Sequence, residues 1–233
     1  MGEIGYGYGS ECHLLRYLGR HRQQLDRAII NEIGMLGRIE WLDFGFDQKK
    51  RKKKWYDAEL EGLEFLAGPE YAAVRAAWKK FWPQSGTSQN WDAVGWFLAN
   101  DGNRGLLLVE AKAHTGELES DCGAENAESV RRIKRALDDT KKHVKAKGDA
   151  DWFKKYYQYA NRLAVLHFLR MNCIPARLLF IYFTGDERDD GKECPGDKRG
   201  WEKAIADQDI HLGLTADHKL KPYIHKVFLP VTG

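Results

Sequence analysis

Asp92, Glu110 and Lys112 are the residues whose types and spacing could do chemistry. Glu110 and Lys112 stand two apart in the run GLLLVEAKA, residues 105–113. On a strand they share one face, roughly 7 Å apart. Asp92 lies in the preceding run, WDAVGWFLA, residues 91–99. Between the two, Asn100 to Gly105 is turn-forming, with Asp101-Gly102 at its heart. Two carboxylates and an ammonium on one face make a site for a hard divalent cation. Carboxylate oxygens suit Mg²⁺, which keeps several waters and binds substrate phosphates. The peptide carbonyl of Ala111 could add a ligand. A lysine beside the metal can orient or help deprotonate an attacking water, whose pKa the metal lowers.

The three groups meet only if the hairpin has the right register. Opposed residues of an antiparallel pair share a constant sum. A sum of 202 sets Asp92 opposite Glu110, and 204 sets it opposite Lys112; an odd sum sends Asp92 to the other face. A three-residue loop from Asp101 to Asn103 gives 204, and a two-residue Asp-Gly loop gives 203. Leu106, Leu107, Leu108 and Val109 are apolar on both faces, as in a central strand covered twice. Charges at the end of such a strand need a reason, since unpaired burial is costly. A surface hairpin with a cross-face Glu–Lys pair is the plain alternative.

Asp92 followed by Glu110-Ala111-Lys112 on the next strand resembles the PD-(D/E)XK nuclease superfamily, over roughly residues 25–185. Trp91 stands where that family often has a proline. The resemblance implies an α/β fold: a restriction-endonuclease-like mixed β-sheet flanked by helices on both faces. It implies Mg²⁺ (or Mn²⁺) held by Asp92, Glu110 and the Ala111 carbonyl, with Lys112 catalytic. A glutamate on the helix before the sheet often joins such sites; Glu32 is the candidate, with Glu40 second. Some branches place a glutamine on the helix after the ExK strand with an aromatic four residues later. Here the residue four after Gln158 is Arg162, a partial match; Gln158 and Arg162 could bind substrate phosphate or orient the site, or be exposed polar residues of a long helix. His114, two beyond Lys112, could touch a phosphate or shuttle a proton.

The 233 residues suffice for one domain, read as residues 13–233 with a helical part over 13–82, after a glycine-rich flexible arm at 1–12. Hydrophobic content of 43% supports a real core, and the net charge of +3 decides little globally. No run approaches the roughly 20 apolar residues of a membrane span, and the N-terminus lacks a signal peptide's pattern. Cys12, Cys122, Cys173 and Cys194 are scattered, without CxxC pairing. A reduced, cytoplasmic protein without zinc is the expectation.

Residues 13–40 read as mostly helical, with Leu25, Ala28, Ile29, Ile33 and Leu36 forming a stripe. KKRKKK at 49–54 is a solvated cationic run able to meet phosphates. Residues 55–67 and 70–82 read as short helices, and His114 to Asn126 as a polar loop with Glu117 facing solvent. Val130, Ile133, Leu137, Thr140 and Val144 recur at 3 and 4 in an amphipathic helix over 127–146. A further helix spans 151–171, and RLLFIYFT (177–184) is a buried strand. A last strand lies around 223–229.

The expected function is Mg²⁺-dependent hydrolysis of phosphodiester bonds in nucleic acid, DNA first. A homodimer would suit double-strand cleavage. The rivals are a catalytically inactive nucleic-acid-binding module on the same fold, an enzyme on other phosphorylated substrates, and a subunit of a defence or repair complex.

Overall fold

The computed structural model describes residues 7–34, 36–42, 46–49, 54–57, 60–84, 89–100, 102–148 and 150–231. Two helices come first, α1 (Ser10–Arg20) and α2 (Arg22–Ile33). Gly34 ends α2 in the left-handed conformation, φ 71°, returning its N–H to the Ile30 carbonyl. Glycine takes that conformation without a Cβ penalty. The apolar stripe that reads as one helix through Leu36 is therefore cut there, and β1 (Leu36–Trp41) follows. This strand corrects the helical reading of residues 13–40 at its C-terminal end.

Two short ladders come next: β2 (Phe46–Lys49) with β3 (Lys54–Asp57), and β4 (Leu60–Glu61) with β5 (Asn90–Trp91). The helix expected over 55–67 is corrected here, since local strand pairing wins over a short, weakly periodic stretch. Of the cationic run only Lys49 and Lys54 fall among the described residues, at the facing ends of β2 and β3. Helix α3 (Ala72–Phe81) fills the gap before β5. Then come β6 (Ala93–Ala99), β7 (Arg104–Lys112), α4 (Ala127–Val144), α5 (Tyr157–Met171), β8 (Ala176–Thr184), α6 (Lys198–His211) and β9 (Ile224–Pro230).

The main sheet is mixed and five-stranded, in the order β1-β6-β7-β8-β9. β1, β6 and β7 run antiparallel; β7, β8 and β9 run parallel. A parallel partner for β7 requires a long crossover, and α4 and α5 supply it. The protein is thus α/β, with six α-helices among the described residues.

Helices cover both faces. Leu107 and Val109 of β7 pack with Leu14, Tyr17, Leu25 and Ile29 of α1 and α2. Leu106 and Leu108 pack with Ile133 and Leu137 of α4 and Leu163 and Leu166 of α5. All four β7 side chains are fully buried, about 2 kcal/mol of transfer free energy apiece. Gly105, the second residue of this strand, is glycine for a steric reason. A Cβ there would fall 2.4 Å from Phe97 Cζ and 2.7 Å from the Pro175 carbonyl oxygen.

Two other expectations shift. The helix read as starting at 151 begins at Tyr157, after a loop anchored where Trp152 Nε1 donates to the Leu212 carbonyl at 2.8 Å. The N-terminal arm is described from Gly7, and its end is docked. Gly9 N–H donates to Asp186 Oδ2 at 3.0 Å, and α1 starts one residue later. No helix among the described residues is long and apolar enough to cross a membrane.

Candidate functional site

The register of β6 on β7 runs from Ala93 opposite Val109 to Leu98 opposite Arg104. Each pair sums to 202, the value that sets Asp92 across from Glu110. The turn lies one residue earlier than a 204 register would need, because Ala99 N–H donates to the Asn103 carbonyl at 2.8 Å. Side chains alternate along β7. Glu110 and Lys112 therefore share a face with Leu106 and Leu108, under α4 and α5.

Asp92 falls in the break between β5 and β6, where the ladder is interrupted. Its Oδ2 accepts the Ala111 N–H at 2.7 Å, in place of a strand carbonyl. A strand residue's N–H and C=O point to the same edge. The Ala111 carbonyl therefore faces the same gap.

Glu110 is 2% exposed and fully engaged. Lys112 Nζ donates to its Oε1 at 2.5 Å. Arg162 meets its Oε2 twice, through Nε at 2.9 Å and Nη2 at 2.8 Å. Lys112 also donates to Gln158 Oε1 at 2.7 Å. The guanidinium of Arg162 is completed by Asn161 Oδ1 at 2.9 Å, the Asn90 carbonyl and the Trp91 ring, 4.6 Å beneath it. One turn of α5 separates Gln158 from Arg162, so a single helix face brings both onto the end of β7. Ser120 Oγ accepts the Gln158 N–H at 2.8 Å and fixes the start of that helix.

The two carboxyls differ in what surrounds them. Burial pushes Glu110 up, but Lys112 and Arg162 together outweigh it, and the group is held below the usual carboxylate range. Asp92 is pushed up to about 7, first by burial and then by the Glu110 charge; Lys112, the Ala111 N–H and Arg162 offset only part. The four charged groups sum to zero when Asp92 is ionised. Asp92 nevertheless stays short of positive charge, because Glu110 takes the hydrogen bonds of both cations.

A cleft of about 810 Å³ opens beside them. Asp92, Gln158 and Arg162 line it, together with Gln89, Asn126 and Tyr157. It lies on the α4–α5 side of the sheet, where the N-termini of both helices end.

The other expected residues lie apart from this cluster. Glu32 is exposed on α2, which packs against the opposite face of the sheet. A carboxylate at the edge of an apolar stripe has here simply turned to solvent. Glu40 is also exposed, on β1, and pairs with Arg38 at 3.0 Å and Arg104 at 3.4 Å. His114 is buried, 3.4 Å from Glu117, and burial lowers its pKa. It does not line the cleft. Glu117 is half-buried, not solvent-facing: its Oε2 accepts the Ala113 N–H at 2.7 Å. Asn161 and Gln89 were not among the expected site residues. Asn161 could have been found one turn from Tyr157 and beside Arg162; nothing in the loop before the hairpin marks Gln89.

No known family model, curated protein or solved structure matches this chain.

Proposed function

We propose that the protein is a metal-dependent nuclease of the restriction-endonuclease-like type, hydrolysing phosphodiester bonds in nucleic acid, DNA first. One observation carries this reading: Asp92, Glu110 and Lys112 converge at the open end of a central strand, beside a cleft, with the Asp92 carboxyl raised to about 7. Raised carboxyls with specific charged neighbours in a cleft are common where chemistry is done.

The donors suit a hard divalent ion. Asp92 supplies carboxylate oxygen, Glu110 a second carboxylate, and Ala111 a carbonyl aimed at the same gap. Both causes that raise Asp92, burial and a neighbouring negative charge, are ones that a cation would relieve. Mg²⁺ or Mn²⁺ held there would polarise a phosphoryl oxygen and lower the pKa of a bound water.

The chain's own residues do the rest. Lys112 is held by two acceptors, Glu110 and Gln158, so its ammonium stays fixed where an attacking water would be oriented. Arg162 is held to one oxygen of Glu110, donating from Nε at 2.9 Å with Nη2 2.8 Å from the same atom, and a guanidinium is also a phosphate-binding group. Were Glu110 to ligate a metal, Arg162 would be the residue placed to meet the scissile phosphate. Trp91 and the Leu106–Val109 run keep bulk water from beneath the site. The same hold of Arg162 on Glu110 favours the second reading, a nucleic-acid-binding module without catalysis.

The test is calorimetric titration of Mg²⁺ and Mn²⁺ beside a cleavage screen on single- and double-stranded DNA and RNA. Wild type is expected to bind weakly and cleave. Asp92→Asn and Glu110→Gln should lose both, whereas Lys112→Met should keep binding and lose cleavage. Cleavage that persists in all three variants would refute the proposal.

A further inference from the structure

The cleft's lining does not resemble a track for a duplex backbone. Among the described residues that line it there is no lysine, and its one arginine, Arg162, is bound to Glu110. Backbone tracks depend on many mobile cations that neutralise phosphates. Here carboxamides dominate instead: Gln89, Asn90, Asn126, Gln158 and Asn161 all line the cleft. Asn126 spends its oxygen on the first N–H groups of α4, and Gln158 spends its oxygen on Lys112. Those two side chains are left with amino groups to donate.

Gln89 is the exception among them. It is 4% exposed, and neither Oε1 nor Nε2 has a hydrogen-bond partner. An unsatisfied buried polar atom costs about 1–3 kcal/mol, so a buried amide with two of them calls for an explanation outside the resting fold. Gln89 lines the cleft, a space able to hold a partner. Its volume, about 810 Å³, falls within the range of small-ligand pockets.

We infer that this cleft is a nucleobase subsite: it takes one unstacked base of a single strand, adenine by preference, with the Gln89 carboxamide reading the base edge. A carboxamide offers a donor and an acceptor side by side, which adenine matches with N7 and its N6 amino group. Tyr157, on the cleft wall, provides an aromatic neighbour of the kind on which single-stranded bases stack. The inference rests on the nucleic-acid reading above and narrows its substrate to single strands, or to a base turned out of a duplex.

The experiment is fluorescence anisotropy with Ca²⁺ present, using labelled dA, dT and dC homopolymers of about 15 residues, comparable to a single-strand footprint, and a blunt duplex. Wild type should bind dA at least about fivefold tighter than dT, dC or duplex, the lower end of what one bidentate pair discriminates. Gln89→Leu should bring dA to the level of dT. It should also melt at or above the wild-type temperature, because it removes two unpaired buried atoms; a purely structural glutamine would instead lower it. Gln89→Glu, which keeps the shape but only accepts, should move the preference from dA to dC. Binding without base discrimination, or discrimination that survives both substitutions, overturns the subsite and leaves the nucleic-acid reading standing. Failure of every oligonucleotide to bind overturns both.

Discussion

Two buried acids, Glu110 and Asp186, lie at opposite ends of one argument about charge. Asp186, just past the end of β8, has both oxygens met from α1 and its approach: His13 Nε2 is 2.6 Å from Oδ1, and Gly9 N–H donates to Oδ2. That pair is 3% exposed on each side and ties the first helix to the sheet. Glu110 is equally well met, by Lys112 and Arg162. What differs is the neighbourhood. Beside Glu110 stands a second carboxyl, Asp92, that the same cations do not satisfy, and a cleft opens onto it. The Asp186 pair is closed; the Glu110 pair has a second carboxyl beside it and an opening onto a cleft, the arrangement on which the proposed function rests.

The sharpest way to break this comparison is Glu110→Ala. It leaves Lys112 and Arg162 buried without an anion, and breaking such a pair typically costs about 3–5 kcal/mol. Urea denaturation should show the loss, and a change under about 1 kcal/mol would mean that water already screens the cluster.

Asp92→Asn should act in the opposite direction. The Asp92 carboxyl titrates at about 7 in the fold and near 4 in the unfolded chain. Between those values the folded state holds the extra proton. Stability is therefore greatest below about pH 4, declines as pH rises, and levels off above about 7. The asparagine keeps an oxygen for the Ala111 N–H and has no charge to bury. We expect it to be more stable than wild type by about 4 kcal/mol at pH 8, and nearly equal to it near pH 4. Equal stability at both pH values would show that the carboxyl is not strained.

At the closed pair, His13→Ala should cost about 1–3 kcal/mol, with no effect on metal binding. Gln158→Ala removes the second acceptor of Lys112 but not the first, so a loss of about 1 kcal/mol is expected. Catalytic turnover should fall by more than that stability change implies. Glu32→Ala, exposed and away from the cluster, should stay within about 0.5 kcal/mol and leave any cleavage unchanged.

The hairpin, the long amphipathic helix and the RLLFIYFT strand were legible because their apolar periods are long and unbroken. The convergence of Asp92, Glu110 and Lys112 was legible up to register, which the turn alone decides and which Asp101-Gly102 leaves open. Strand β1 was hidden by accident: Leu36 falls at a helical interval from Ile33, and the left-handed Gly34 that ends the helix stands between them. The role of Arg162 was hidden in principle. Its partner is 52 residues away, and no local pattern says that a helical arginine will spend itself on a buried glutamate. Gln89 was hidden for the same reason, since lacking a partner is a property of the fold.

One consequence follows from the way Asp92 leaves the ladder. The Ala111 amide is bonded to a titrating oxygen and not to a fixed carbonyl. Its proton is thereby a spectroscopic reporter placed inside the site. In a ¹⁵N-correlated spectrum the Ala111 resonance should move through a midpoint near pH 7, while its strand neighbours Val109 and Leu108 stay still. Adding Mg²⁺ should displace that midpoint downward before any substrate is present, so that a single cross-peak reads the charge of the centre.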